Sequence, residues 1–304
     1  MISRRAFLYA AAGSAFAQEP TFTTGVRVVS LFASVHDKDG RVVKDLNKED
    51  FVLDDDGKPQ TIRYFSRESD LPLTIGLLVD TSRSQAEVLE QERNASGTFL
   101  SEVLRENVDQ AFVVSFDVAV QVLQGLTSSR QDLSAALSRL QIPGQVATLL
   151  YEAVKESSDN LMRRQTGRKA LILLTDGVSF RDRTSISSAI ESAQRADAML
   201  FSIRFSGHMP VVRPGRALVR GIVAESGKSA LERMAAETGG EEFEVSRDKP
   251  VEEVFSEIEE LLRNQYSIGF TPDRIGSSGQ FHKVKLAVKE RGMTVRTRDG
   301  YFSQ

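Results

Sequence analysis

An apolar run that ends on a carboxylate is the feature that most constrains this chain. Residues 73–79, LTIGLLV, are almost wholly apolar and lead directly into Asp80, with Ser82 and Ser84 at the next alternate positions. A continuous apolar run of strand length indicates a strand buried on both faces, as in a parallel sheet covered by helices. The polar residues at its end therefore need a separate explanation.

Strand-like and helix-like segments alternate between residues 73 and 265. KALILL, at 169–174, is a second fully apolar strand, and 251–265 has the periodicity of a long amphipathic helix. The runs 110–117 and 118–125 follow one another with almost no gap, which predicts an antiparallel hairpin or a sharp bend. The alternation predicts an α/β fold, a Rossmann-like, doubly wound and mostly parallel sheet with helices on both faces.

The two flanking regions show strand patterns and turns but no strong helix. Residues 22–68 have the character of a β-meander, and 266–304 return to short strands separated by Gly-rich turns. Neither flank is long enough to bury a core of its own. We therefore predict that the two flanks pair into one small β-sandwich-like domain, with the α/β domain, 71–264, inserted between them. The alternative is two independent β extensions on the sheet edge.

Composition excludes several classes of function. The formal net charge is −3, which argues against binding to nucleic acid or an anionic membrane. The absence of cysteine excludes a disulfide framework, a thiolate metal site, a cysteine nucleophile and a lipid-modified cysteine. His36, His208 and His282 lie far apart with no pair at metal-ligand spacing, so a histidine-based zinc site is not expected.

The first residues have the pattern of an export signal. Residues 1–17 contain a basic start, a modestly apolar stretch and an AFA cleavage motif before Gln18. The pair Arg4 and Arg5 resembles a twin-arginine signal, although an ordinary secretory signal is the alternative. No later stretch is long and apolar enough to span a bilayer. We expect an exported protein, periplasmic or extracellular, without membrane insertion after signal cleavage.

Two carboxylates are predicted to share one edge of the sheet. In an open parallel sheet, ligand sites lie outside the carboxyl ends of the strands, where Asp80 and Asp176 both stand. Two such charges repel one another unless a cation lies between them. Ser82 and Ser84 would add hydroxyl oxygens if the loop is extended. Because hard cations prefer oxygen ligands, the pattern favours Mg²⁺ or Mn²⁺.

These residues resemble the von Willebrand factor type A (VWA) domain and its metal-ion-dependent adhesion site (MIDAS). That family has Asp-x-Ser-x-Ser on a first loop, Thr on a second and Asp on a third. The counterparts here are DTSRS at 80–84, Thr148 and TDG at 175–177. The chain departs from the usual Gly-Gly-Thr by having VAT at 146–148. The resemblance covers residues 71–264.

The flanks are also similar to the ends of an exported bacterial VWA-related family that is abundant in acidobacteria. Its members are mostly of unknown function. An alternative reading of the motif is local: Ser82, Ser84 and Thr148 are residue types that commonly cap helix N-termini.

The resemblance implies adhesion or assembly rather than turnover, with no catalytic residue. Ser82, Ser84 and Thr148 would bind the metal directly, and Asp80 and Asp176 mainly through water. A carboxylate of an unknown partner protein would fill the open position. The alternatives are a structural scaffold with a vestigial metal site and, less favoured, a metal-dependent hydrolase.

A basic segment near the predicted metal edge suggests a partner surface. We predict a loop over residues 206–228, with a helix beginning at Lys228, and this loop contains Arg213, Arg216 and Arg220. Together with Arg83, these side chains would form a basic wall that favours an acidic partner. The alternative is a solvated loop whose arginines cover apolar surface.

Overall fold

A six-stranded sheet with helices on both faces forms the centre of the molecule. The computed structural model of the chain describes residues 28–67, 71–144, 146–205, 216–273 and 276–303, and the side chains of all these except 216–225. The predicted signal, 1–17, lies outside the described residues.

The secondary structure follows the predicted alternation. The strands are β1 (Val29–His36), β2 (Phe51–Asp55), β3 (Lys58–Gln60), β4 (Ile62–Ser66), β5 (Leu73–Asp80), β6 (Gln110–Phe116), β7 (Val120–Thr127), β8 (Arg168–Leu174), β9 (Met199–Phe205), β10 (Glu242–Val245), β11 (Tyr266–Phe270), β12 (Phe281–Val288), β13 (Thr294–Arg296) and β14 (Gly300–Phe302). The helices are α1 (Leu89–Val103), α2 (Arg130–Leu137), α3 (Leu150–Glu156, continued by a π-helical turn, Ser157–Met162), α4 (Ile186–Arg195), α5 (Arg216–Thr238) and α6 (Val251–Arg263), with short 3₁₀ turns at Lys48–Asp50 and Arg83–Gln85. Within the described residues, no helix is both long and apolar enough to cross a bilayer.

The central sheet has the order β10-β9-β8-β5-β6-β7. All neighbours are parallel except β7, which runs antiparallel to β6 as the adjacent runs predicted. Every residue of β5 and β8 is buried, because helices cover both faces of the sheet. The predicted α/β class and mostly parallel sheet are confirmed.

Each face of the central sheet has its own apolar core. Helices α1, α2 and α6 cover one face, where the rings of Phe99 and Phe255 stack with centroids 4.5 Å apart. Helices α3, α4 and α5 cover the other face through residues such as Leu150, Ile190 and Leu231. The two cores fix the helices around the strands, so the loops at the strand ends have a rigid support.

The flanks form two four-stranded sheets that share one core. Their orders are β13-β1-β11-β4 and β14-β12-β2-β3, and each combines strands from both ends of the chain. The predicted β-sandwich-like domain is therefore confirmed. The predicted meander is wrong, because β1 pairs with β11 and β13 rather than with β2. Alternation identifies a strand with one buried face, but it does not identify the partner of that strand.

The α/β domain is inserted between two neighbouring strands of this β domain. Strand β4, which precedes the insertion, pairs with β11, which follows it. Polar contacts then join the two domains: Arg296 pairs with Glu241 at 2.9 Å, and Gln194 donates to Asp299 at 2.7 Å.

The structure corrects the prediction for the basic segment. Helix α5 begins at Arg216, twelve residues before the predicted start, so Arg216 and Arg220 lie on a helix and not on a loop. Arg213 lies outside the described residues. Gly227 lies inside this helix, and a Cβ at Gly227 would lie 2.6 Å from the carbonyl oxygen of Asp176. This glycine allows close packing and does not end the helix.

The substitution Gly76→Ala tests how tightly β5 is packed between its neighbouring strands. A Cβ at this position would lie 2.2 Å from the Phe112 ring and 2.5 Å from the Leu171 side chain. We expect Gly76→Ala to lower the free energy of unfolding by about 1–3 kcal/mol, because both neighbours must shift. Urea unfolding measures this change. Gly125→Ala in β7 is the matched control, since no atom lies within 4 Å of its built Cβ. Equal midpoints for the two variants would contradict the described packing.

Candidate metal centre

Asp80 is fully buried at the carboxyl end of β5 and is held by two neighbouring loops. Its Oδ1 accepts a hydrogen bond from the backbone N–H of Ser82 at 2.8 Å. Its Oδ2 accepts one from the Thr175 hydroxyl at 2.6 Å, so the ends of β5 and β8 are joined through this carboxylate. The sheet therefore brings the first and third predicted elements together.

The two serines of the first loop lie side by side. The Oγ atoms of Ser82 and Ser84 are 3.0 Å apart, with Ser82 buried and Ser84 exposed. The sequence analysis considered an extended loop here. The structure instead shows a single 3₁₀ turn, Arg83–Gln85. This turn still places both hydroxyls together at the edge of the sheet.

Thr148 and Asp176 lie on the second and third loops, which are joined by a short β-bridge. The backbone of Thr148 exchanges hydrogen bonds of 2.9 and 3.0 Å with that of Phe180. Asp176 is half-buried, and its Oδ1 accepts from the N–H of Val178 at 2.9 Å. The first and second loops are joined by Arg83, which donates to the carbonyl of Gly144 at 2.9 Å. All three loops are thus connected.

Helix capping does not explain the hydroxyl groups of the motif. Ser82 precedes the 3₁₀ turn but makes no side-chain capping hydrogen bond, and α1 follows Val88. At α3, the N–H groups of Tyr151 and Glu152 donate to Asp182 at 2.7 and 3.2 Å, so an acidic residue from another loop caps this helix in place of Thr148.

Glu92 is a buried acidic residue that the sequence reading missed. It lies on α1 with no solvent exposure, and neither carboxylate oxygen has a hydrogen-bond partner among the described residues. Burial, followed by the charges of Asp80 and Asp176, raises the pKa of Glu92 well above its usual value. The available signal was its position between Leu89 and Phe99 on the apolar stripe of α1.

The site has negative charge that no described basic side chain balances. Burial raises the pKa of Asp80 to about 7, and the nearby charge of Asp176 adds to this effect. Within the described residues, no Lys or Arg forms an ion pair with Asp80, Asp176 or Glu92. Buried carboxylates without a counter-charge fit a site for a hard divalent cation, and the serine hydroxyls supply further oxygen ligands.

The sequence of the α/β domain also matches a known family. Residues 74–257 match the von Willebrand factor type A domain. The chain belongs to this family. Among curated proteins, none matches the sequence of the chain.

Two solved structures of a mussel protein share the fold of this chain. Proximal thread matrix protein 1 from the mussel byssus is similar with a TM-score of 0.53 and 15% identity, over 69% of this chain and 51% of that one. The same protein with a zinc-occupied MIDAS motif has a TM-score of 0.53 and 16% identity, over 68% and 49%. The PilB minor pilin from Streptococcus sanguinis has a TM-score of 0.47 and 15% identity, over 64% and 62%. The chain spans about half the length of the thread matrix protein, and identities this low show the fold alone.

The pKa of Asp80 predicts a pH-dependent stability in the absence of divalent metal. A buried carboxyl with a raised pKa keeps a proton that the unfolded chain releases, so its ionisation opposes folding. The destabilisation begins near pH 4 and is complete above about pH 7. We expect Asp80→Asn to be more stable than the wild type at pH 8 in EDTA, by up to about 4 kcal/mol, and equally stable at about pH 3.

Thermal unfolding of both proteins across this pH range measures the effect. Asp248→Asn, at an exposed carboxyl in the bend before α6, is the control and should leave the wild-type pH profile unchanged. A wild type that is no less stable than Asp80→Asn at pH 8 would contradict the described burial.

Proposed function

We propose that the protein is an exported metal-dependent adhesion or assembly module. In this proposal, its VWA domain holds Mg²⁺ or Mn²⁺ and captures a carboxylate of a partner protein. The observation that carries the proposal is the burial of Asp80 and Glu92 beside Asp176 without a basic counter-charge among the described residues. The membership of the VWA family and the zinc-occupied MIDAS of the mussel protein support it.

Five residues would hold the metal. Both oxygens of Asp80 already accept hydrogen bonds, from Ser82 N and the Thr175 hydroxyl, which favours a supporting role through water. The direct ligands would be the neutral hydroxyls of Ser82, Ser84 and Thr148, with Asp176 also acting through water. A bound cation would supply an electrophilic position for an incoming acid.

Neutral hydroxyl ligands explain why a partner carboxylate would bind. A cation surrounded by neutral oxygens keeps most of its charge and attracts an additional acidic ligand. Glu92 would sit behind this arrangement; burial raises its pKa and disfavours its charged form, and a bound cation would favour that charged form again. The same logic gives no group for turnover, so we expect a binding protein and not an enzyme.

The surface next to Thr148 is suited to an acidic partner with apolar neighbours. Phe180 and Val146 are 46% and 52% exposed, and the Arg181 guanidinium lies 5.3 Å from the Phe180 ring. A shallow cavity of about 420 Å³ is lined by apolar residues, by the exposed Arg181 and Arg183, and by one acidic residue, Glu152. An interface with an apolar centre and basic rim fits a partner segment that carries Asp or Glu beside an apolar side chain.

The basic wall predicted from the sequence remains part of this proposal in modified form. Arg83 is exposed and bound to the Gly144 carbonyl, on the same edge of the domain. Arg216 and Arg220 belong to α5, the helix whose Gly227 packs against the Asp176 loop. We propose that the positive charge of these arginines and of Arg213 favours an acidic partner. Export to the periplasm or the exterior is proposed from the pattern of residues 1–17.

Mg²⁺ titration by calorimetry tests the metal site. We expect the wild type to bind one Mg²⁺ in the VWA domain, Asp80→Ala to lose binding, and Ser84→Ala to bind at least about tenfold more weakly because a direct ligand is removed. Ser179→Ala is the matched control: its hydroxyl lies on the same edge but donates to Thr148 O and Asp182, each at 3.3 Å. Equal affinities for wild type, Asp80→Ala and Ser84→Ala would overturn the assignment. If the wild type fails to bind Mg²⁺ even with acetate present, the result would favour the alternative of a structural scaffold with a vestigial metal site.

Peptide arrays test the proposed partner chemistry. We expect peptides that contain Asp or Glu to bind in Mg²⁺ and not in EDTA, and their Asn or Gln counterparts to bind in neither. Phe180→Ala and Arg183→Glu should each weaken binding, because they remove the apolar and basic parts of the surface. Phe281→Ala, at a phenylalanine of the β domain that is 39% exposed, is the control. Binding that is insensitive to EDTA would argue against capture through a metal.

A further inference from the structure

A second cluster of metal-ligating side chains lies in the β domain, far from the VWA motif in sequence. Asp55 ends β2, Asp56 begins the following turn, and His282 lies on β12. One ligand atom from each lies within 4.8 Å of the other two. No other three His, Asp or Glu side chains in the described part of the chain come together in this way. The wide spacing of the three histidines hid this cluster from the sequence reading.

Two of the three side chains are buried and incompletely bonded. Asp55 is 8% exposed; its Oδ2 accepts from the Tyr301 hydroxyl at 3.2 Å, but its Oδ1 has no partner among the described residues. Burial raises the pKa of Asp55, and the charge of Asp56 adds to this. His282 is 5% exposed and its Nδ1 lies 2.9 Å from Oδ2 of Asp56. A buried carboxylate oxygen without a partner is unfavourable by about 1–3 kcal/mol, so a missing ligand is indicated.

The surrounding strands hold these side chains in place. Strands β2, β12 and β14 are neighbours in one sheet, with His282 directly opposite Tyr301. The two rings stack with centroids 5.1 Å apart, and Asp56 Oδ1 accepts from the N–H of Lys283 at 2.9 Å. The Tyr301 side chain and the Lys283 N–H thus fix the orientation of the imidazole and the two carboxylates. Metal sites commonly use such outer contacts to orient their ligands.

We propose that Asp55, Asp56 and His282 bind a second divalent ion, of the zinc or cobalt type, in the β domain. One imidazole nitrogen and two carboxylate oxygens suit a borderline transition metal better than Mg²⁺, which prefers oxygen alone. The Asp56 side chain is 50% exposed, so water can reach a further coordination position. This proposal does not depend on the function of the VWA site.

A simple hydrogen-bond network is the competing interpretation. The Asp56–His282 and Tyr301–Asp55 hydrogen bonds occupy Oδ2 of Asp56, Nδ1 of His282 and Oδ2 of Asp55. They leave Oδ1 of Asp55 buried and unpaired, whereas a metal ligated by this oxygen satisfies it. The ligands also come from opposite ends of the chain, 226 positions apart, so the metal would fasten the two halves of the β domain together.

Metal titration of the untagged full chain tests the proposal. In an Asp80→Ala background, which removes the VWA site, we expect one Co²⁺ to bind with visible d–d absorption and Zn²⁺ to raise the melting temperature. His282→Gln should abolish the absorption and the shift, and Asp55→Asn should weaken binding at least tenfold while preserving the shape of the side chain. His36→Gln, at a β-domain histidine on β1 outside the cluster, is the matched control and should bind as the background does.

The outcomes distinguish the two proposals. If Asp80→Ala does not fold, the same substitutions are made in the wild type, where the number of zinc ions bound per chain should fall by one with His282→Gln, whether or not the VWA site also takes zinc. Equal Co²⁺ spectra and Zn²⁺ affinities with and without His282, or no saturable binding by the background protein, would overturn the second site. Neither result would alter the Mg²⁺ titration that tests the VWA site.

Discussion

The burial of Asp80 at the end of the central strand is the constraint on which the site depends. Because helices cover both faces of β5, its last residue is out of reach of water, and its carboxylate is bonded instead to Ser82 and Thr175. These bonds fix the first and third loops relative to one another. The same burial makes an uncompensated charge costly, which is why the carboxylates and hydroxyls of this edge fit a cation better than a purely structural role.

Much of the fold could be predicted from the sequence, because continuous apolar runs and helical periodicity are local properties. The topological rule for parallel sheets also predicts that Asp80 and Asp176 lie at one edge of the sheet. Glu92 was missed because a single acidic residue on an apolar stripe is ordinarily solvated. The start of α5 was also missed; Gly227, inside this helix, packs against a distant loop. His282 and Asp56 meet across 226 positions, which no local pattern reveals.

One domain is formed by a continuous part of the sequence and the other by two separate parts. The VWA domain is continuous and builds its site from loops on one edge of one sheet. The β domain draws its strands from both ends and encloses a core shared by two sheets. Residues such as Glu241 and Arg296 connect the domains by charge, while the VWA loops lie at the strand ends of the central sheet. Binding at either candidate site can therefore be studied with the other left intact.

The pairing of β1 with β11 sets an order on how the molecule can assemble. During synthesis, β1 and β4 emerge early, yet the strand that pairs with both arrives only after the whole VWA domain has been made. Until then their backbone edges are open to other chains. Bringing β11 to these strands by diffusion alone has a large entropic cost, because a long stretch of unfolded chain must be closed into a loop. A VWA domain that folds first brings its two ends together and removes most of this penalty. The insertion thus couples completion of the β domain to the folding of the VWA domain.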